Sequence, residues 1–315
     1  MKKFVITFLL IILSIITFSK GVFINPAGPT LLPAAGLFSG EIKPTNDFEL
    51  KIWKTPDEAI AMLVSGQADL ALLPVSLGAT LYNKKVPLKL VAVSTWKAFY
   101  LVGTSDDIKS LKDLKGKEVY TPFGPGQTGD VIMRYFFKKY GLEIGKDVFV
   151  KYANNPEIVA LLSSGKINYA LLPEPFVSLS LFKVKDSKIL IDIQSEWAKE
   201  TGLKKERIPI SGIFVRNEFL ENNPELFKDF IESYKKSLNW LFENENKATE
   251  YVSEVMGNFP VKVLQDALKN SHFEFIYAAD CRDEIELYFK ELSKVDPEAV
   301  GGVPNEDFFY LGDDD

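Results

Sequence analysis

The chain has 315 residues, 46% hydrophobic and 25% charged, an ordinary globular composition long enough for two domains that each bury a core. A formal net charge of −6 supplies no basic field for phosphate, which excludes nucleic acid as a partner. With one cysteine, Cys281, and one histidine, His272, there is no internal disulfide, no cysteine-rich metal centre and no Ser-His-Asp set, so neither metal nor other cofactor is expected.

The chain opens on an address. Lys2 and Lys3 precede the apolar run FVITFLLIILSIITF at residues 4–18, and Ser19 and Gly21 supply the small residues of a cleavage site before Val22. The run falls short of the roughly 20 apolar residues of a membrane span. Residues 1–21 are therefore expected to be a cleaved signal peptide, with a periplasmic or otherwise extracytoplasmic mature chain; a retained anchor is the competing reading. No cysteine follows the run, so no lipid anchor is expected.

VFINPAGPTLLPAAGLF, residues 22–38, reads as strand, loop and helix. FELKIWKTPDEAIAMLVSGQADLALLP, residues 48–74, adds a strand, a helix opening at Pro56 and closing before Gly66, and a buried strand stopped by proline. Two strand-like runs follow in PLKLVAVSTWKAFYLVGTSD, meeting near residues 94–97. The whole order then recurs, as KEVYTPFGPGQTGDVIMRYFFKKYGL at 117–142 and DVFVKYANNPEIVALLSSGKINYALLP at 147–173. Pro156 answers Pro56 at a spacing of 100 and Gly165 answers Gly66 at 99, which places one dropped residue in the intervening helix. ERIPISGIFVRNEFL, residues 206–220, is an apolar run broken at Ser211-Gly212, and beyond it NPELFKDFIESYKKSLNWLF and DEIELYFKELSKV show helical spacing. His272 lies in a strand-like stretch and reads as structural. The fold class is α/β: two mostly parallel sheets flanked by helices, with the chain crossing between them at the two breaks.

Such sheets bind ligands where strands end and helix N-termini face outward. Four loops qualify, and they offer Pro29, Thr30, Ser76, Gly126, Gln127, Thr128 and Glu174. In FGPGQTGD the glycines allow close backbone approach, and free N–H groups at the helix start favour an anion or strong acceptor; the alternative is a plain capped turn. Glu174, opposite Val75 in the repeat, would either accept an amino or pyrimidine N–H from a ligand or favour the positive start of the next helix. Trp96 stacks on a flat ligand or belongs to the core. Thr30, Ser76 and Gln127 are hydrogen-bonding groups or caps. Cys281, just before a helix, would be slightly acidified there, yet without a nearby histidine it reads as inert.

Taken together, LVSGQADLALLP, LVAVSTWKAFYLVG, IKSLKDLKGKEVYTPFGPGQTG, LLSSGKINYALLPEPFV and SGIFVRNEFLENNPELFKDFIESY resemble the periplasmic substrate-binding proteins of ABC importers for nitrate, sulfonates, taurine, bicarbonate and thiamine pyrimidine precursors. The resemblance covers residues 22–310. It implies the type II two-lobed fold: residues 22–97 plus 210–315 in lobe one, 98–209 in lobe two, and two crossover strands as a hinge. It further implies a monomer that captures a small organic or oxyanionic solute by closure and delivers it to a membrane permease driven by a separate ATPase subunit. Helix N-termini and the glycine loop would suit an oxyanion; Glu174 beside Trp96 and Phe123 would suit a pyrimidine-like amine, and the two exclude each other if Glu174 lies inside the cleft. The alternative is an enzyme on the same scaffold in thiamine-pyrimidine or menaquinone-type biosynthesis. The pyrimidine synthases of similar fold use their own histidine and a cysteine-rich motif, and neither is present.

Overall fold

The structure, a computed structural model, describes residues 20–299 and 302–312. The apolar leader run lies outside the described residues. Among them, no helix is long and apolar enough to cross a membrane.

The chain begins with β1 (Gly21–Pro26), a 3₁₀ turn over Pro29–Ala34 and the one-turn helix α1 (Ala35–Phe38). Gly40 follows this helix at φ +77°, in the left-handed conformation that ends a helix. Next come β2 (Phe48–Trp53), α2 (Pro56–Val64), β3 (Leu70–Pro74), α3 (Val75–Asn83) and the long β4 (Leu88–Lys97). The second unit comprises β5 (Phe99–Gly103), β6 (Glu118–Thr121), α4 (Thr128–Lys139), β7 (Phe149–Tyr152), α5 (Asn155–Ser163), β8 (Tyr169–Pro173), α6 (Phe176–Lys183), β9 (Lys188–Asp192) and α7 (Ile193–Thr201). The chain returns through β10 (Ser211–Arg216) and continues as α8 (Asn217–Asn222), α9 (Pro224–Glu243), α10 (Glu245–Val255), α11 (Val261–Asn270), β11 (His272–Tyr277) and α12 (Arg282–Ser293).

The repeat is physical. Thr55 caps α2 by accepting from the Glu58 N–H, and Asn154 caps α5 by accepting from the Glu157 N–H. Gly66 and Gly165 follow the two helices at φ +73° and +67°, a conformation that favours glycine. No residue is missing from the second helix, contrary to expectation: each has nine residues, and the prolines occupy its first position in α2 and its second in α5.

Two sheets form, in the orders β11-β4-β10-β3-β1-β2 and β7-β6-β8-β5-β9. In each, the three strands of the repeat run parallel in the same order, β2-β1-β3 and β7-β6-β8. Each sheet also carries antiparallel strands. The strand that arrives from the other lobe enters at the cleft end and so runs against the repeat: Ser211 of β10 faces Pro74, and Phe99 of β5 faces Pro173. The two crossing segments touch, with Ile208 and Ile210 donating from their N–H groups to the Trp96 and Thr95 carbonyls at 2.9 and 3.0 Å.

β3 and β8 are buried on both faces, which explains their unbroken apolar sequence. Leu70 and Leu72 face a core shared with α9 and α10, and Ala170 and Leu172 face one shared with α5 and α6. The opposite faces, with Ala71, Leu73, Tyr169 and Leu171, belong to one apolar core that runs through both lobes. Tyr288 of α12 joins that core, meeting Trp197 of α7 at a ring distance of 6.0 Å.

Packing of α3 on β10 depends on Gly78, where a Cβ would fall 2.0 Å from Cζ of Phe214. Gly78→Ala should lower the unfolding free energy by about 1–3 kcal/mol through overpacking. Gly124→Ala, where the nearest atom is 3.9 Å away, should change it by no more than about 0.5 kcal/mol. Urea denaturation midpoints of the two variants check this, and equal midpoints would refute the packing assignment.

Candidate functional site

The strand ends of both sheets converge on a cavity of about 520 Å³, the size range of small-molecule sites. It is walled by the 3₁₀ turn and α3 from one lobe, by the glycine loop and the end of β8 from the other, and by both crossing segments. Pro29, Thr30, Ser76, Gly126, Gln127, Thr128 and Glu174 all line it.

Ser76 lies in the first turn of α3 and Thr128 opens α4, and their hydroxyls are 2.7 Å apart across the gap. Two helix N-termini from different lobes thus meet at one wall of the cavity. In the glycine loop behind Thr128, some N–H groups are spent within the loop itself. The Gly126 N–H donates to Oδ2 of Asp130 and the Gly124 N–H to Oε1 of Gln127. Gly129 serves packing, since a Cβ there would lie 2.1 Å from the Phe123 ring.

Glu174, 1% exposed, sits one residue past β8. Its Oε1 accepts from the Ser178 hydroxyl and from Nδ2 of Asn270, and its Oε2 from the Ser178 N–H. It binds the first turn of α6, and it also lines the cavity. Burial raises its carboxyl above the ordinary value, against the pull of its Ser178 and Asn270 donors. Asn270 ends α11, so the carboxylate also ties the second lobe to the helices returning over the first.

Trp96 does not line the cavity. Successive strand residues point to opposite faces, and it is Thr95 that faces the ligand space. The indole instead donates to the Glu274 carbonyl at 2.9 Å, and the Arg207 guanidinium stacks on it at 4.1 Å. Phe99 and Phe123, packed edge to face at 5.0 Å, provide the aromatic wall, with Phe273 of β11. Phe99 carried a signal that was missed: it begins the run just after the first crossover. Glu298 and Ala299 also line the cavity. They follow α12 on a segment tied to the second lobe by Asp296, which pairs with Arg134 of α4 at 2.6 Å.

Cys281 is buried, and rather than being acidified its thiol is pushed up to about 12 by burial. His272, held below its usual value by burial, pairs with Glu274 at 3.2 Å behind the crossovers. Among the described residues, no group of three or more His, Cys, Asp or Glu side chains could hold a metal ion.

Residues 45–248 match the family described as NMT1/THI5 like. The chain belongs to that family. This NMT1/THI5-like chain is 23% identical over 168 residues to a Brucella abortus protein named only as a candidate binding protein, a match covering 53% of this chain and 50% of the relative; it thus spans about half the length of the curated relatives it matches. Its fold is shared with solved structures. One is an ABC transporter protein from Parabacteroides distasonis, 23% identical, covering 92% of this chain and 98% of the other with a TM-score of 0.77. Another is the periplasmic aliphatic sulphonate binding protein of Escherichia coli, 16% identical, covering 91% and 92% with a TM-score of 0.68. The two-lobed α/β fold expected from sequence is the fold of these neighbours.

The raised carboxyl of Glu174 has a pH signature. The folded state holds this proton more tightly than the unfolded chain, so its stabilising contribution is complete below 4.5 and lost as pH rises through the raised folded value. The stability of the wild type relative to Glu174→Gln should therefore fall with rising pH over that window; parallel stability curves from denaturation at a series of pH values would contradict it. For Cys281, a disulfide reagent at pH 8 should label the thiol only after denaturant is added, whereas rapid labelling of native protein would place it at the surface.

Proposed function

We propose that this protein is the extracytoplasmic solute-binding component of an ABC importer and performs no chemistry on its ligand. The observation that carries this reading is a cavity built from both lobes, with Ser76 and Thr128 bonded across it. A solute touching one lobe gains the second set of contacts only when the lobes approach, so binding favours the closed form. Ala98 and the segment around residues 206–210 act as the hinge, dividing residues 22–97 plus 210–315 from residues 98–209. Pro29, Thr30, Ser76, Gly126, Gln127, Thr128 and Glu174 contact the solute. The closed monomer then docks on a membrane permease driven by a separate ATPase subunit. The functions of the structural neighbours support this assignment, as does the elevated thiol of Cys281, which leaves no activated nucleophile there.

Thermal-shift screening of the purified protein against nitrate, taurine, alkanesulfonates, bicarbonate, riboflavin and aminopyrimidines tests it. A ligand present at about 100 times its dissociation constant adds about 2.7 kcal/mol of stability. At least one compound should raise the melting temperature without being consumed. Turnover of a compound would favour the enzyme reading, and a flat response across a broad small-molecule screen would remove the capture reading.

A further inference from the structure

We propose that the cleft selects a bulky, largely apolar solute that is neutral or carries an N–H donor, and discriminates against compact oxyanions. This rests on the solute-capture reading of the same cavity and goes further by assigning the chemical class.

Size and wall chemistry come first. About 520 Å³ is far more room than a nitrate or a taurine fills. The walls are dominated by proline, aromatic and aliphatic groups, with Phe99, Phe123 and Phe273 positioned to cover a ring. The polar groups are chiefly hydroxyls, including Thr95, whose Oγ1 is buried without a partner.

Charge decides the sign. Among the described residues lining the cavity there is no lysine, arginine or histidine, while two carboxylates, Glu174 and Glu298, line it. The nearby cations are spent elsewhere. Arg134 lies between Asp130 and Asp296 at 2.9 and 2.6 Å. Arg207 is clamped by Glu284 and Glu274 beneath Trp96, and Lys97 is paired with Asp192. The Gly124 and Gly126 N–H groups that could have met an oxyanion are bonded to Gln127 and Asp130. An anion entering this space would lose its water and meet no cationic side chain; the N-termini of α3 and α4 are what would favour it, set against two carboxylates, one of them buried. Glu174 favours the opposite ligand. Its Oε1 has two protein donors but its Oε2 only one, which leaves an acceptor site for a ligand N–H.

Two dyes that share one ring system and differ by a sulfonate separate the possibilities: N-phenyl-1-naphthylamine, neutral with one N–H, and 8-anilino-1-naphthalenesulfonate. Fluorescence titration of the purified protein should show the neutral dye binding and the sulfonate at least about tenfold weaker. Leu77→Trp and Thr80→Trp, each filling the cavity from α3, should abolish the cavity-dependent signal, with circular dichroism confirming which of the two remains folded. Glu174→Gln should narrow the gap between the dyes. Equal or tighter cavity binding of the sulfonate, or no signal sensitive to either tryptophan, overturns the class assignment. In that event a melting shift with nitrate or taurine would leave solute capture standing on its own.

Discussion

β3 and β8 each end in a proline that faces the first residue of a strand arriving from the other lobe, Pro74 opposite Ser211 and Pro173 opposite Phe99. A proline has no N–H to continue the ladder, so the rim of each sheet falls at the point where the chain crosses. The crossing segments then bond to each other through Ile208, Ile210, Thr95 and Trp96, which brings both rims to one gap. Ser76 and Glu174 follow within two residues of those prolines, and their place at the cavity is a consequence of the crossing rather than of any separate feature.

This arrangement was legible where burial imposed a pattern. The two copies of Ala-Leu-Leu-Pro stand out because both faces of β3 and β8 are covered, so every position must be apolar. Legibility failed where the answer lay in a single step of strand alternation. Trp96 and Thr95 are neighbours in sequence, yet only Thr95 faces the cavity. It failed also for Glu298, whose place at the cleft depends on how α12 packs and on the pairing of Asp296, well beyond the repeat, with Arg134 of α4. The glycine loop was located correctly, but that Asp130 and Gln127 would absorb its donors requires the fold of the turn itself.

Charge around the cleft follows a consistent arrangement. Cations close to it are buried or half-buried with carboxylate partners, and the Arg207 guanidinium is further covered by an indole ring. Breaking such a pair from one side leaves an uncompensated charge, so Arg207 and Arg134 hold the crossover and the loop in place. Glu174 is the exception, a desolvated carboxylate at the cavity wall, kept there by donors from two different lobes.

The apolar core that passes through both lobes bears on how the chain can be divided. A fragment holding only residues 98–209 would retain a complete sheet, yet Trp197 and the inner face of α4 would lose α12, the helix that covers them. The second lobe is therefore finished by a piece of chain synthesised long after it. The second lobe must wait, partly uncovered, until the carboxyl-terminal helices emerge and seal it.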